Sequence, residues 1–479
     1  MSDKRSMASE IVDKVLESNA ILFVDQYNNP YIAFDGNGNS VSEINHTICR
    51  QYITNLSYDT LDHIPSTTIE NQVIKVLEAK ARRSGNRHDL DISIVRYRNT
   101  ILYDMGNGAI RITDKKWGAI KNPPIVFRKP ANQKQQLKPK RGGDLRTLLG
   151  FLNITNESEQ LLFLCYVVTA FIPDIQHPIL ILYGMQGAGK TTPMQILKSL
   201  TDHSEADSGF NQPKDEQDLA LHAYHNYLLF YDNMSTIGER QSDAFAKAVT
   251  GSAFTTRKLY TNNEMFTYKF RRAIIFNGLN QMVAKSDLLD RSLAMQLERI
   301  TPDKRKEPGV FWAEFEAAKP EILGAIFDTL VKAIAVYPKI ESQQWSRMAD
   351  FDHWGCAIAE ALDYGQDKFM QARSQNMQLQ HDNAIEANAV GQAIVEFMQD
   401  KTYWADTASQ LYGLLEPIFD RLHLEKPKTA PRLSREITPL IPNLQAQGIN
   451  VKRGYRGKER IFTFTKTTVG TDGTDSKNG

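Results

Sequence analysis

The chain has 479 residues, too many for one compact core, and the usual ratio of about 150 residues per domain predicts about three domains. Hydrophobic residues make up 41% and charged residues 24%, a composition typical of soluble globular proteins that excludes a largely disordered chain. The 57 Lys and Arg nearly balance the 56 Asp and Glu, so any affinity for nucleic acid must come from local basic patches.

The cysteines and the apolar runs indicate where the protein works. Cys49, Cys165 and Cys356 lie far apart and without metal-ligand spacing, so we expect buried thiols in a reducing compartment. The longest apolar run, Leu161 to Ile172, has 12 residues, short of the roughly 20 that span a bilayer, and predicts a buried helix. The N-terminus has no apolar signal segment. We therefore expect a cytoplasmic protein without a membrane contact.

Residues 1–127 mix short alternating runs with helical stretches, and they predict an N-terminal α+β accessory domain. Residues 128–143 carry six basic residues, no acidic residue and two prolines, which predicts a linker. Such a linker is either a solvated spacer or a basic strip that contacts a phosphate backbone.

A phosphate-binding motif follows a continuous apolar strand at Ile179. The spacing from Gly184 to Thr191 is G-x-x-x-x-G-K-T, and a helical run follows it. Glycines allow successive backbone N–H groups to surround phosphates, Lys190 can reach the β- and γ-phosphates, and the Thr191 hydroxyl can hold Mg²⁺. The residues predicted to contact the nucleotide are Gly184, Gly187, Ala188, Gly189, Lys190, Thr191 and Thr192.

A second apolar strand, Tyr227 to Asp232, ends in a carboxylate that is suited to hold Mg²⁺ together with Thr191. The alternative for Asp232 is a solvated residue at a strand end. Position 233 carries Asn. P-loop enzymes that hydrolyse ATP usually have a Glu at this position, and that Glu polarises the attacking water. Because an amide cannot accept the proton, either Asn233 orients the water while Asp232, Glu239 or Asp243 acts as the base, or hydrolysis is slow.

Two further residues are candidates for the γ-phosphate. Asn277 ends a third apolar strand, where it is either a polar sensor of the γ-phosphate or an ordinary turn residue. Arg291 precedes another strand-like run and is suited to stabilise γ-phosphate charge across a subunit interface. The alternative for Arg291 is an intrachain salt bridge with Asp287 or Asp290.

The C-terminal part is predicted to contain a helical subdomain over 301–384 and a separate unit over 385–464, with a frayed tail over 465–479. Helix, helix and a two-stranded ribbon in the last unit predict a winged helix. The alternatives for it are DNA binding and protein docking, and Pro439 and Pro442 are expected to shorten its candidate recognition helix. The residues predicted to contact DNA there are Arg432, Arg435, Lys452, Arg453, Arg456, Lys458 and Arg460.

The order of "GMQGAGKTT", "YLLFYDN", "RRAIIFNGLN" and "DLLDRS" resembles the superfamily III helicases of the AAA+ class. More narrowly, it is similar to the ATP-binding replication proteins and primase-helicases of phages, plasmids and integrated islands. The resemblance covers about Gly143 to Ile300. It implies that Lys190 and Thr191 form Walker A, Asp232 forms Walker B, Asn277 is sensor 1 and Arg291 is the arginine finger.

Helicases of this kind insert a β-hairpin before the sensor strand to grip one nucleic-acid strand in the ring's channel. In this sequence "RKLYTNNEMFTYKF" alternates around a candidate turn at Asn262 and Asn263. The flanking Arg257, Lys258 and Lys269 are the candidate DNA contacts. An ordinary amphipathic hairpin is the alternative.

The expected fold is an α/β P-loop NTPase (AAA+) core at 144–300 with the N-terminal α+β domain, the helical subdomain and the C-terminal winged helix. The expected function is an ATP- and Mg²⁺-dependent hexameric ring that moves along DNA in the replication of a mobile element. A single strand is expected in the channel, and a duplex or fork at the winged helix. The alternatives are a non-translocating AAA+ initiator, loader or nucleotide switch, and a P-loop kinase, which would need neither Arg291 nor the hairpin.

Overall fold

The computed structural model describes residues 6–34, 41–128, 134–202, 209–234, 237–257, 265–268, 271–278, 286–341 and 345–466. All three cysteines are buried, as predicted. Within these ranges, no helix combines the length and the apolar character needed to cross a bilayer.

The first unit combines helices with a small antiparallel sheet of order β1-β2-β3. Its elements are α1 (Met7–Glu17), β1 (Ile21–Val24), β2 (Pro30–Ala33), β3 (Val41–Glu43), α2 (Thr47–Leu61) and α3 (Thr67–Arg83). Ile11, Ile53 and Leu77, one from each helix, are fully buried in one core with β1 and β2. The mixed α+β content predicted for this region is therefore present.

A second N-terminal sheet is an antiparallel meander, β5-β6-β7-β8, beside the parallel pair of β4 and β9. The strands are β4 (Leu90–Asp91), β5 (Ile94–Tyr97), β6 (Thr100–Asp104), β7 (Ala109–Ile112), β8 (Trp117–Ile120) and β9 (Val126–Phe127). The apolar face of the meander, including Ile101, Tyr103 and Ile112, belongs to the same hydrophobic core as the chain beyond residue 144. Apolar packing therefore crosses the predicted boundary at 127, and the domain bounds themselves stay a prediction.

The central unit is built on a parallel sheet of order β11-β14-β10-β15. Its elements are α4 (Glu157–Thr169), β10 (Ile179–Tyr183), α5 (Thr191–Thr201), α6 (Glu216–His225), β11 (Leu228–Tyr231), α7 (Glu239–Thr250), β12 (Phe254–Arg257), β13 (Met265–Tyr268), β14 (Ala273–Gly278), α8 (Ser286–Leu289) and β15 (Ser292–Gln296). Helices cover both faces of the sheet, so β10, β11 and β14 are buried along their whole length and read as continuous apolar runs. The predicted parallel α/β sheet is confirmed.

The predicted hairpin before β14 is present as the antiparallel pair β12 and β13, with Arg257 opposite Met265. The candidate turn at Asn262 and Asn263, together with Lys258 and Lys269, lies outside the described residues.

The helical run predicted after Pro302 comprises α9 (Pro308–Val336), α10 (Ala349–Ala361) and α11 (Gln366–Glu386). Side chains of α11 cover the outer edge of β15 in place of another strand. The Asn376 amide donates to the Ala294 carbonyl (2.5 Å) and accepts from the Ala294 N–H (3.3 Å). Arg373 donates to the Ser292 carbonyl (3.0 Å) and pairs with Asp352 (3.3 Å), with both side chains almost fully buried. The edge groups of β15 are thus satisfied inside the subunit.

The described part of the predicted linker, 134–143, is docked on α9. The Lys140 N–H donates to the Pro320 carbonyl at 2.8 Å. Arg141 stacks on the Trp117 ring at 4.0 Å and pairs with Asp328 at 3.5 Å. The side-chain amide of the buried Gln136 donates to the backbone carbonyl of Ser199 in the last turn of α5. This part of the chain is therefore a packed strap and not a free solvated spacer, because its backbone and side chains have partners on the core.

The C-terminal unit has its own core and an antiparallel sheet of order β16-β18-β17. Its elements are α12 (Ala389–Phe397), β16 (Tyr403–Thr407), α13 (Ala408–Arg421), α14 (Ala430–Ala446), β17 (Ile449–Arg456) and β18 (Glu459–Lys466). β16 was not predicted, because this short strand is only partly buried and shows no apolar alternation. Thr465 and Lys466, assigned to the frayed tail, belong to β18, and the rest of that tail lies outside the described residues.

The prediction that Pro439 and Pro442 shorten the candidate recognition helix is wrong. α14 runs over 17 residues with both prolines inside it. Each proline removes a donor to the carbonyl four residues earlier, at Arg435 and Thr438. Both prolines and both of these residues are exposed, so water can satisfy the freed carbonyls while Leu433, Ile437 and Leu440 hold the opposite face in the core.

Candidate nucleotide-binding site

The loop from Gly184 to Lys190 leaves the carboxyl end of β10 and runs directly into α5. At Gly184 a Cβ would come within 2.2 Å of the Leu297 carbonyl oxygen, so only glycine fits. Gly187 has a φ of +83°, in the left-handed region that favours glycine. The N-cap residue of α5, Lys190, makes no side-chain cap hydrogen bond, which leaves the positive end of the helix open to an anion.

The Lys190 ammonium folds back over this loop. It donates to the carbonyl of Gly184 at 2.8 Å and to that of Met185 at 3.1 Å. Partial burial lowers the pKa of Lys190 from its ordinary value, and the Asp232 carboxylate acts in the opposite direction. The predicted Lys190 and Asp232 are therefore close enough for their charges to interact.

Asn277 links the loop to the neighbouring strand. It lies within β14 and is 1% exposed, so it is not a turn residue. Its side-chain oxygen accepts from the Asn233 N–H at 2.6 Å, and its amide nitrogen donates to the Thr191 hydroxyl at 3.4 Å. Because β14 lies between β10 and β11, the carboxyl ends of three parallel strands bring Thr191, Asn233 and Asn277 together.

The candidate catalytic bases differ in how close they lie to this cluster. Asp232 directly follows β11, and its backbone N–H donates to the Phe210 carbonyl at 3.2 Å. Asn233 is exposed and has a φ of 55°, a left-handed conformation that Asn tolerates. Asp243 lines a cavity between α6 and α7, and none of the residues described as lining that cavity belongs to the 184–191 loop. The Glu239 side chain lies outside the description.

Arg291 lies at the opposite edge of the sheet. Its carbonyl accepts from the N–H of Ile179, the first residue of β10, so Arg291 is at the amino end while the loop is at the carboxyl end, roughly 15 Å further along the strand. Its side chain forms an ion pair with Asp287 and donates to the Asp287 carbonyl at 2.8 Å. Hydrogen bonding from Arg291 lowers the pKa of Asp287. The alternative of an intrachain salt bridge is thus realised with Asp287, and the role of Arg291 at a neighbouring subunit stays a prediction.

Glu159, a carboxyl group near the start of the loop, was not among the residues predicted from the sequence. It lies in the first turn of α4, where acidic residues are ordinary, and it accepts from the Gln296 N–H at 3.4 Å at the end of β15. Burial raises its pKa to about 7. Its proximity to β15 depends on chain packing across more than a hundred residues, so no local pattern could have revealed it.

Replacing Glu159 with Gln is expected to stabilise the fold at high pH. The unfolded carboxyl ionises near its ordinary pKa of 4.5, whereas the folded one holds its proton up to about 7. Its contribution to stability is therefore fully present below pH 4.5 and is lost as the pH rises to about 7. We expect Glu159→Gln to raise the free energy of unfolding at pH 8 by up to about 3 kcal/mol and to change it little near pH 4.5.

Urea unfolding at both pH values measures this difference. Glu157→Gln, an exposed first-turn carboxylate of the same helix, is the matched control and should show no such dependence on pH. An equal effect of Glu159→Gln at both pH values would contradict the assignment of the raised pKa.

The residues predicted to contact DNA in the C-terminal unit lie on α14, β17 and β18 and on the turn between the two strands, and all seven are exposed. Four of them have intrachain partners: Arg432 binds Glu436, Arg453 binds the Ser434 carbonyl, Arg456 binds Asp406, and Arg460 binds the Tyr455 hydroxyl. Within the described residues, Arg435, Lys452 and Lys458 form no ion pair. A cavity of about 260 Å³ between α14 and the ribbon is lined by residues that include Ser434, Arg453, Tyr455, Arg460 and Phe462. Arg257 is in β12, and its side chain lies outside the description.

Two models of known protein families match parts of the chain. Residues 145–377 match the family model for the actinomycete integrative conjugative element replication protein, and residues 390–476 match the AICE RepA C-terminal domain. No curated protein matches the chain.

The solved structures that are similar to the chain at low identity include two described as follows. The apo structure of the NrS-1 C-terminal region is 11% identical, with 95% of this chain and 98% of that chain covered and a TM-score of 0.44. The structure described as SCCmec type IV Cch, active helicase, is 11% identical, with 93% of each chain covered and a TM-score of 0.46.

The two family models match consecutive regions and together account for about two thirds of the chain. Over these two regions the chain is therefore similar to the replication proteins of integrative conjugative elements.

Proposed function

We propose that this chain is a replication protein and a ring-forming ATPase of the superfamily III helicase type, which couples ATP hydrolysis to movement along DNA. The observation that carries the proposal is the cluster at the carboxyl edge of the parallel sheet. There Lys190 lies over the Gly184 carbonyl, Asn277 bonds to Thr191, and the Asp232 charge acts on Lys190. This is the set of groups that phosphoryl transfer from ATP needs in one place.

The residues fit ATP and Mg²⁺. The open N-terminus of α5 and the glycine-lined loop offer backbone N–H groups to the phosphates, and Lys190 can exchange its carbonyl partners for phosphate oxygens. The Thr191 hydroxyl and the Asp232 carboxylate are hard oxygen ligands that suit Mg²⁺. When bound, Mg²⁺ would neutralise charge on the β- and γ-phosphates. The buried Asn277 amide is held in one orientation and is suited to position a water molecule or a γ-phosphate oxygen.

The elements around the sheet support the AAA+ assignment and a subunit ring. Arg291 lies between α8 and the edge strand β15, too far from its own loop to act there, so a neighbouring subunit would be its target. A hexamer would place the β12–β13 hairpin, which precedes the sensor strand β14, along a central channel with single-stranded DNA.

The C-terminal unit supports contact with duplex DNA or a fork. The order α12, β16, α13, α14, β17 and β18 is that of a winged helix. Arg435 on α14 and Lys452 and Lys458 on the ribbon present exposed cations without intrachain ion pairs among the described residues. Such cations are suited to phosphate contacts.

A second candidate function is a nucleotide-gated DNA-binding switch with slow hydrolysis. Asn233 favours it, because an amide occupies the position of the usual base and its N–H is bonded to Asn277. In such a protein ATP would set the conformation and be turned over rarely.

Steady-state ATPase activity, measured with and without single-stranded DNA, distinguishes the two functions. For a translocating helicase we expect strong stimulation by DNA in the native protein. Negligible turnover in both conditions, together with measurable ATP binding, would instead establish the switch.

The Asn233→Glu variant locates the cause of slow turnover. If the missing carboxylate limits hydrolysis, the ATPase rate of this variant should rise. A general base typically contributes about 100-fold or more to a rate, so the gain can reach that size. Because position 233 has a left-handed backbone conformation, Asn233→Gln is the matched control for side-chain length and backbone strain. An equal rate in Asn233→Glu and Asn233→Gln would show that the residue at this position does not limit turnover.

A further inference from the structure

The chain that leaves β15 passes along the whole nucleotide loop. The Leu297 N–H donates to the Tyr183 carbonyl at 2.8 Å, just before the loop, and the Ile300 N–H donates to the Gly187 carbonyl at 3.3 Å. The Ile300 side chain lies 3.0 Å from the position that a Cβ at Gly189 would take. Because β10 and β15 are adjacent and parallel, both of their continuations emerge at the same edge of the sheet.

A short 3₁₀ turn then directs Arg305 towards the loop. The turn spans Pro302–Lys304, and the Arg305 N–H donates to the Pro302 carbonyl at 3.4 Å. One terminal nitrogen of the Arg305 guanidinium lies 3.5 Å from the position that a Cβ at Gly187 would take. The guanidinium is therefore beside the middle of the glycine-lined loop of its own subunit.

Arg305 has no protein partner for its charge within the described residues. The residue is exposed, and its guanidinium forms neither an ion pair nor a hydrogen bond there, whereas the nearby Lys306 pairs with Glu314 at 2.5 Å. A guanidinium stays charged at all physiological pH values, and its planar set of donors matches a pair of phosphate oxygens.

We propose that Arg305 contacts the phosphate chain of the nucleotide bound in the same subunit, as a second cation beside Lys190. This inference rests on the proposed function, since it requires a nucleotide in the loop. It assigns to Arg305 a role different from that of Arg291, which lies at the opposite edge of the sheet. The nucleotide would then be held between the loop and the segment that follows β15.

Titration calorimetry with ADP tests the proposal. We expect Arg305→Ala to weaken ADP binding by about tenfold or more, the usual loss for a hydrogen bond to a charged group. Arg305→Lys should retain part of the affinity, because it keeps the charge but loses the paired donors. Lys304→Ala, which removes an exposed cation one residue away in the same turn, is the matched control and should bind like the native protein.

Native affinity in Arg305→Ala, or an equal loss in Lys304→Ala, would overturn the proposal. Lys190→Ala, measured in the same way, separates this outcome from failure of the proposed function. If Lys190→Ala loses ADP while Arg305→Ala binds it normally, only the role of Arg305 fails. If Lys190→Ala also binds ADP normally, the nucleotide site itself fails, and the role of Arg305 with it.

Discussion

Lys190→Ala is expected to abolish ATP turnover, with a fall of about 100-fold or more, the loss that follows removal of one preorganised charged donor from a transition state. The ammonium already lies over the loop, 2.8 Å from the Gly184 carbonyl, and no other described cation occupies that position. The measurement is the DNA-stimulated ATPase rate at saturating ATP.

Lys115→Ala is the control for Lys190→Ala, since it removes an exposed lysine on the N-terminal meander and should leave the rate unchanged. A thermal unfolding midpoint close to that of the native protein would show that Lys190→Ala is folded. DNA-stimulated turnover that survives in a folded Lys190→Ala protein would contradict the site.

Arg291→Ala is expected to spare nucleotide binding and to reduce turnover of the assembled ring by about 1,000-fold, as for the loss of an arginine finger. The reason is geometric, because Arg291 lies at the amino edge of the sheet, too far from its own loop to reach a nucleotide there, and the proposed ring would bring it to a neighbouring subunit's nucleotide. Mixing Arg291→Ala with Lys190→Ala subunits should restore part of the activity, since some interfaces in a mixed ring combine an intact loop with an intact finger.

Asp287→Ala is the control that separates the two interpretations of Arg291. It removes the ion pairs that Asp287 forms with Arg291 and with Arg347, but it keeps both arginines. If Arg291 serves only its ion pair with Asp287, Asp287→Ala should lose at least as much activity as Arg291→Ala, and mixing should restore none.

The strands of the central sheet could be predicted because helices cover both faces. β10, β11 and β14 are therefore continuous apolar runs, which a local window detects. The candidate loop was equally accessible, because the glycine spacing, the strand before it and the helix after it are contiguous in sequence. Asn277 could be named from its position at the end of a strand, but its bonds to Thr191 and Asn233 could not.

What could not be predicted depends on distant parts of the chain meeting. Nothing local marks Glu159 or Arg305, whose surroundings are set by residues 137 and 118 positions away, at Gln296 and Gly187. The docking of Gln136 under α5 depends on packing in the same way. The prediction that Pro439 shortens its helix was wrong for a different reason. On an exposed helix face, water can hydrogen-bond to the carbonyl that a proline leaves without a donor, so the usual cost of an internal proline is reduced.

The side chains of α11 on the edge of β15 restrict how this strand can move. A neighbouring strand offers a repeating ladder, on which a slip of two residues restores every bond. Asn376 and Arg373 instead offer single, unrepeated partners to Ala294 and Ser292, so any slip of β15 would lose these bonds without replacement. The edge is also closed to strand addition by another chain. The register of β15 against the rest of the sheet is therefore fixed. As a result, the distance between Arg291 at one end of this strand and the segment beside the loop at the other end stays constant.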